Sequence, residues 1–226
     1  MICPIDEIVS AARAGRPVIM IDAETRKNEG HLILPAQFVD AEAINFMARY
    51  CRGIVSLALT SAQAGALGLR PMTRWNESRY QMAYTVSIEA CSGVSTGISA
   101  GDRAQTIRTA IAPGASAADI VTPGHLFPII AHDGGLEARP GHTEAAIEIC
   151  RRAGLAPAAV ICAIMGADGS MATRSELLEL AQAHDLPVGL VSGLMTPQSN
   201  GTRLAEAAIL PFNAAVRPGW QYAAAG

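Results

Sequence analysis

Short apolar runs alternate along this chain with stretches of helical period, and that alternation constrains the fold more than any other feature. The runs at 17–21, 54–59, 159–164 and 188–190 are bounded by Gly, Pro or polar residues and are too short for ordinary helices. They read as buried strands. Between them, Ile5, Ile8, Val9 and Ala12 share one helical face that stops at Gly15. Asp40 stands where a cap belongs, ahead of a helix whose apolar face carries Ile44, Met47 and Cys51. Ser99 with Asp102 opens a helix that runs through Ala112. Thr173 with Glu176 opens one bearing Leu177, Leu180 and Ala181. The stretch 143–153 reads as a helix ending at Gly154, and 85–89 alternates as a half-exposed strand. Strands interleaved with helices predict an α/β (or α+β) layered domain over residues 1–195. Residues 196–226, rich in Pro, Gly, Asn and Ala, read as a loose tail.

Composition narrows the function. The formal net charge is −3 and aromatic residues are 4% of the chain, so neither a basic footprint nor a base-stacking surface is present and no nucleic-acid partner is expected. Gly, Pro or a charge interrupts every apolar run before it could span a bilayer, so no membrane partner is expected either. The first residues lack the basic start and apolar core of a secretion signal. The five cysteines are odd in number and have no CxxC spacing, which reads as buried thiols in a reducing cytoplasm.

Three segments are too polar and too Gly-rich to be plain connections. They are the loop 22–31 after the first strand, the stretch 95–103, and the stretch from 123–128 through 139–144 that leads into a helix. Glycine lets a backbone approach a ligand closely. Arginine, Ser/Thr hydroxyls and the free N–H groups of a helix start suit a phosphate. Together they predict a site for a small anionic ligand. Asp102 reads as a helix-start stabiliser, and His132 and His184 as surface or helix-end residues.

In these segments the chain resembles the 3,4-dihydroxy-2-butanone 4-phosphate synthase family. The quotable matches are VIMIDAETRKNEGHLILPA, YCRGIVSLALT, YTVSIEACSGVSTGISAGDRAQTI and PGHLFPIIAHDGGLEARPGHTEAAIEICRRAGLAPAAVICAIMGADGSMATR. The resemblance implies a compact mixed α/β sandwich, working as a homodimer with sites at the subunit interface. It implies conversion of ribulose 5-phosphate to a four-carbon ketose phosphate and formate, with Mg²⁺ as cofactor. Longer relatives carry a GTP cyclohydrolase II domain next, which the residues after 195 are too few to form. The substrate-binding residues it implies are Arg26, Ser95, Thr96, Arg139, Gly141, His142 and Thr143, with His142 also a metal ligand and His125 a catalytic group.

The matches are incomplete in a patterned way. Of seventeen basic residues sixteen are Arg, and the single Lys, Lys27, stands where the family keeps a magnesium-binding Glu. His31 stands in place of an Asp that helps proton transfer, Ala163 in place of a late acid/base Glu, and Ser56 in place of a Cys. An ammonium cannot ligate Mg²⁺, which wants hard oxygen donors. These replacements predict altered enolisation, rearrangement or lyase chemistry on a sugar phosphate. Lys27, His31, Glu29 and His125 are its candidate catalytic groups, and Lys27 either polarises a carbonyl or forms a Schiff base. Another divalent metal on His31, His142 and Glu29 is a variant of this reading. The alternatives are the authentic synthase reaction and a non-catalytic sugar-phosphate-binding or regulatory paralogue.

Overall fold

A computed structural model describes residues 1–22 and 29–195. Lys27, Arg26 and the expected tail at 196–226 lie outside the described residues. Eight α-helices and seven strands are described, beginning with helix α1 (Ile5–Arg13) and strands β1 (Val18–Ile21) and β2 (Gly30–Pro35). Then come α2 (Ala41–Phe46), β3 (Arg52–Leu59), α3 (Ser61–Ala66), β4 (Ile88–Ala90), α4 (Ala100–Ile111) and β5 (Ile120–Ile130). They are followed by α5 (Gly135–Ala138), α6 (His142–Arg152), β6 (Ala159–Ile164), α7 (Arg174–Ala183), β7 (Val188–Leu190) and α8 (Val191–Met195). The strands form one mixed sheet in the order β4-β5-β3-β6-β2-β1-β7. The β3/β5 and β1/β7 pairs are parallel and the others antiparallel. The expected layered α/β architecture is what the chain adopts.

Local chemistry sets the helix starts. Asp40 Oδ1 accepts the Ala43 N–H at 2.8 Å, and Thr173 with Glu176 forms a reciprocal capping box. Each such cap stabilises its helix by about 0.5–2 kcal/mol. After α2 the chain continues as a π-turn over Met47–Cys51 and leaves it at Arg52, whose φ is 67°. That extra turn carries Met47 and Cys51 into the core beside Ile44, and all three are fully buried. Ser99 Oγ accepts the Asp102 N–H at 3.0 Å, as expected. Asp102 does more than stabilise the helix start, because its carboxylate accepts the N–H and hydroxyl of Ser95 and the N–H of Gly97.

Two strands correct the sequence reading. β2 was not expected, yet it lies between β1 and β6 near the middle of the sheet. A strand buried on both faces has no need of alternation, and Gly30–Pro35 shows none. The stretch 123–128, read as part of a polar, Gly-rich loop, lies within strand β5. The first half of β5 pairs with β4 and its second half with β3, and a register shift against β4 between Leu126 and Val121 accommodates the Pro-Gly step. The expected strand at 85–89 is shorter and shifted, to Ile88–Ala90.

The core is aliphatic. Leu32, Ile33, Leu34, Leu57, Ala58 and Leu59 of the central strands are buried, with α1 packed on α6 and α2 on α4. Each large aliphatic side chain buried there contributes about 1.5–3 kcal/mol. Of the thiols, Cys51, Cys150 and Cys162 are buried, Cys3 is half-buried and Cys91 is exposed, so the expectation of buried thiols holds for three of five. Burial pushes the Cys150 thiol up to about 12, which makes it inert. His184 caps the end of α7 as expected, but it is buried against Tyr50 and Phe46 rather than exposed.

Candidate active site

Strands β1 and β2 form an antiparallel hairpin, at whose base the Asp22 N–H donates to the Glu29 carbonyl at 3.1 Å. This base opens onto a cleft of about 530 Å³. Asp22, Glu29 and His31 line it from the hairpin. His132, Arg139, Gly141, His142 and Thr143 line it from the segment between β5 and α6, and Tyr80 and Tyr84 from the loop ahead of β4.

His31 sits at the second position of β2 and its ring stacks on that of His142, at the start of α6, with centroids 4.0 Å apart and planes 27° from parallel. Its Nδ1 is buried with no hydrogen-bond partner among the described residues. Burial first, and repulsion from His142 second, hold its pKa well below the usual histidine range. His31 is therefore a neutral imidazole at physiological pH. Across the sheet it is register partner to Ala163 on β6. The methyl of Ala163 leaves His31 with no ionisable neighbour at that position.

Helix α6, which supplies His142, begins with Gly141 as its cap residue and no capping side chain. Its first N–H groups have no intrahelical acceptor and can meet an anion. Pro140 turns the chain so that the Gly141 N–H donates to the Arg139 carbonyl at 2.8 Å, which holds the Arg139 side chain beside the helix start. Arg139 is one-fifth exposed.

Six of the residues expected from sequence thus meet here: Glu29, His31, Arg139, Gly141, His142 and Thr143. Three do not line this cleft. His125, on β5, pairs through Nδ1 with Glu89 Oε1 at 3.0 Å, while Ser95 and Thr96 belong to the exposed loop wrapped on Asp102. Asp22, His132 and Tyr84 line the cleft without having been expected there. His132 in particular was read as a surface residue. It is exposed, but on the cleft wall, and its Nδ1 accepts the Gly134 N–H at 3.0 Å. In the neutral ring the proton is then on Nε2, as a donor. The polar run from Ala131 to Arg139 was the available signal.

The Asp102 contacts carry a pH prediction. Hydrogen bonds from Ser95 above all, and from Gly97 and Ser99, hold its carboxyl below the usual range. A carboxylate with a depressed folded pKa stabilises the fold above its unfolded value of about 3.9 and loses that contribution as pH falls through the folded value. Amide-exchange protection at Ser95 and Gly97 is expected to persist at neutral pH and collapse only below about pH 4. Asp102→Asn should remove that pH dependence, and unchanged protection factors in the variant would contradict the assignment.

A family model for 3,4-dihydroxy-2-butanone 4-phosphate synthase matches residues 6–196. The chain belongs to this family. A synthase from Neisseria meningitidis serogroup B is 48% identical over 91% of this chain, and one from Cupriavidus pinatubonensis is 48% identical over 84%. The chain spans 56% of the length of the first and 86% of the second, and about half the length of several other curated relatives. Among solved structures, a two-domain synthase from A. baumannii superposes with a TM-score of 0.82 at 42% identity, covering 85% of this chain and 57% of its own. A synthase crystallised with two magnesium ions superposes at 0.80 and 36% identity, covering 85% of this chain and 94% of its own.

Magnesium prefers an octahedron of hard oxygen donors. Among the described residues no three His, Cys, Asp or Glu side chains converge to hold an ion, and the closest pair in the cleft is two imidazoles. Of the set His31, His142 and Glu29, the described residues bring the two imidazoles together, while Lys27 and its neighbours at 23–28 lie outside the described residues. Also among the described residues, no helix is long and apolar enough to cross a membrane.

Proposed function

We propose that the domain over residues 1–195 is a 3,4-dihydroxy-2-butanone 4-phosphate synthase, releasing formate from ribulose 5-phosphate. The observation that carries this reading is the cleft itself. An arginine and an uncapped helix start stand ready for a phosphate, beside the neutral imidazole of His31. The 48% identity to curated synthases over most of the chain supports the same substrate class.

The substrate phosphate would lie on the first turn of α6, against Arg139 and the Thr143 hydroxyl. That fixes the sugar carbons along the cleft toward His31 and Glu29. Enolisation of the ketose needs a base for a carbon-bound proton, and neutral His31 and the Glu29 carboxylate are the candidates at that end. The reaction needs no external oxidant, because one carbon leaves as formate while another is reduced to a methyl group. The tyrosines at the mouth, Tyr80 and Tyr84, limit entry of water to the enediol.

The reading includes a homodimer. His125 does not line the described cleft of its own chain, and the reading brings it to substrate from a second copy. Trp75 and Ile98, 81% and 53% exposed, offer apolar surface for such contact. Light scattering should then give twice the chain mass.

A second reading, altered chemistry on the same class of ketose phosphate, is favoured by the pairing of His31 with Ala163 on adjacent strands and by Lys27 in the hairpin sequence. Incubation with ¹³C-labelled ribulose 5-phosphate, with and without divalent metals, separates the two by NMR. Labelled formate and a four-carbon phosphate are expected. Consumption without formate would favour the second reading, and no consumption would overturn both.

A further inference from the structure

We propose that Glu144 is a positioning residue that sets Arg139 and His132 for an anionic group in the cleft. The inference deepens the sugar-phosphate reading and rests on it for the identity of the anion. Glu144 lies in the first turn of α6, and its side chain is fully buried. Burying a carboxylate is costly unless it is compensated, so a buried one needs a structural reason. Two contacts supply it. Oε1 accepts the His132 N–H at 2.9 Å, which pins the chain just beyond β5 to the helix. The same oxygen lies 3.8 Å from an Arg139 guanidinium nitrogen.

That second distance matters. At 3.8 Å the charges attract, but no hydrogen bond forms. Glu144 therefore orients the guanidinium from behind and leaves its N–H donors for a ligand. A bidentate carboxylate would consume them. Oε2 is buried and receives no hydrogen bond among the described residues, so the carboxylate is not fully engaged by other groups. Gly141 completes the arrangement. A Cβ at this position would fall 2.7 Å from Glu144 Oε2 and 3.7 Å from Arg139 Nε. A side chain at this position would have to displace the buried carboxylate.

The role is one of position rather than chemistry, since Glu144 lies behind the cleft wall while Arg139 and His132 form it. Glu144→Gln keeps an acceptor for the His132 N–H and removes the charge that aims Arg139. Calorimetric titration with inorganic phosphate and with ribulose 5-phosphate should show binding weakened about tenfold, the size of one charge-assisted contact. In turnover KM should rise by the same factor, while kcat changes less than about threefold, because the interaction is made equally with bound substrate and transition state. Glu144→Ala should also lose amide-exchange protection at His132, which the Gln variant retains. Wild-type affinity or tighter binding in Glu144→Gln would overturn the proposal. If the wild-type protein bound neither anion, the sugar-phosphate reading would fall. The ¹⁵Nε–H resonance of Arg139 in the ligand-free protein would then decide the inference, with broadening in the Gln variant supporting it and an unchanged signal overturning it.

Discussion

Gly30→Ala is expected to destabilise the protein by about 1–3 kcal/mol, the usual cost of forcing a methyl into a filled core. Gly30 opens β2, and a Cβ there would lie 2.5 and 2.6 Å from the two methyl carbons of Leu177. Leu177 on α7 is fully buried, so it has no solvent to swing into. The strand would have to move instead, and His31 is the next residue on it. Lowered thermal stability should therefore come with weakened activity. Leu177→Ala alone should cost about 2–5 kcal/mol through the cavity it leaves. The double variant should cost less than the sum of the two by about 1 kcal/mol or more, since the new methyl occupies part of that cavity. Denaturant unfolding of the four proteins closes the cycle. Strict additivity would mean that Gly30 is not held by its contact with Leu177.

Arg139→Ala is expected to lower kcat/KM for ribulose 5-phosphate by about 10²-fold, combining one lost charge-assisted contact with a misplaced substrate. Arg139→Lys should recover only part of this, because an ammonium cannot present two parallel N–H donors to a phosphate. The side chain is partly exposed and its closest charged partner is Glu144 at 3.8 Å. Removing the arginine leaves the fully buried Glu144 without its cation, so stability should fall as well, and Arg139→Lys, which keeps a cation there, separates that loss from the loss of phosphate binding. Formate release and phosphate affinity measured on the same preparations test this. Wild-type kcat/KM in the Ala variant would remove Arg139 from the substrate grip.

Elements with a local cause were legible before the fold. Asp40, Ser99 and Thr173 each cap a helix where the sequence places them, and the run at 159–164 is β6 residue for residue. β2 and β5 were not legible. Gly30–Pro35 gains its strand conformation from neighbours on both sides, contributed by residues 18–21 and 159–163. β5 contains two prolines and a glycine that argue against a strand on local grounds, and it persists because half of it pairs with β4 and half with β3.

The site divides along the same line. Glu29, His31 and the run from Arg139 to Thr143 were readable because each belongs to a contiguous motif. Ser95, Thr96 and His125 were grouped with them by motif alone, and the described cleft leaves them out. Asp22, His132 and Glu144 lie in polar segments that the sequence flags only as segments, with nothing to single them out as individual residues. Their part depends on which faces of the hairpin and of α6 turn toward the cleft.

By itself, the sequence determined the helix starts, most of the buried strands, the family and the chemical types available for a phosphate, because capping, apolar pattern and motif are local. Only the tertiary structure decided that His31 stacks on His142, that Ala163 faces His31 across the sheet, and that a buried Glu144 stands behind Arg139. Those relations join residues far apart in the chain. Strand order and burial create them, and no short-range preference encodes either.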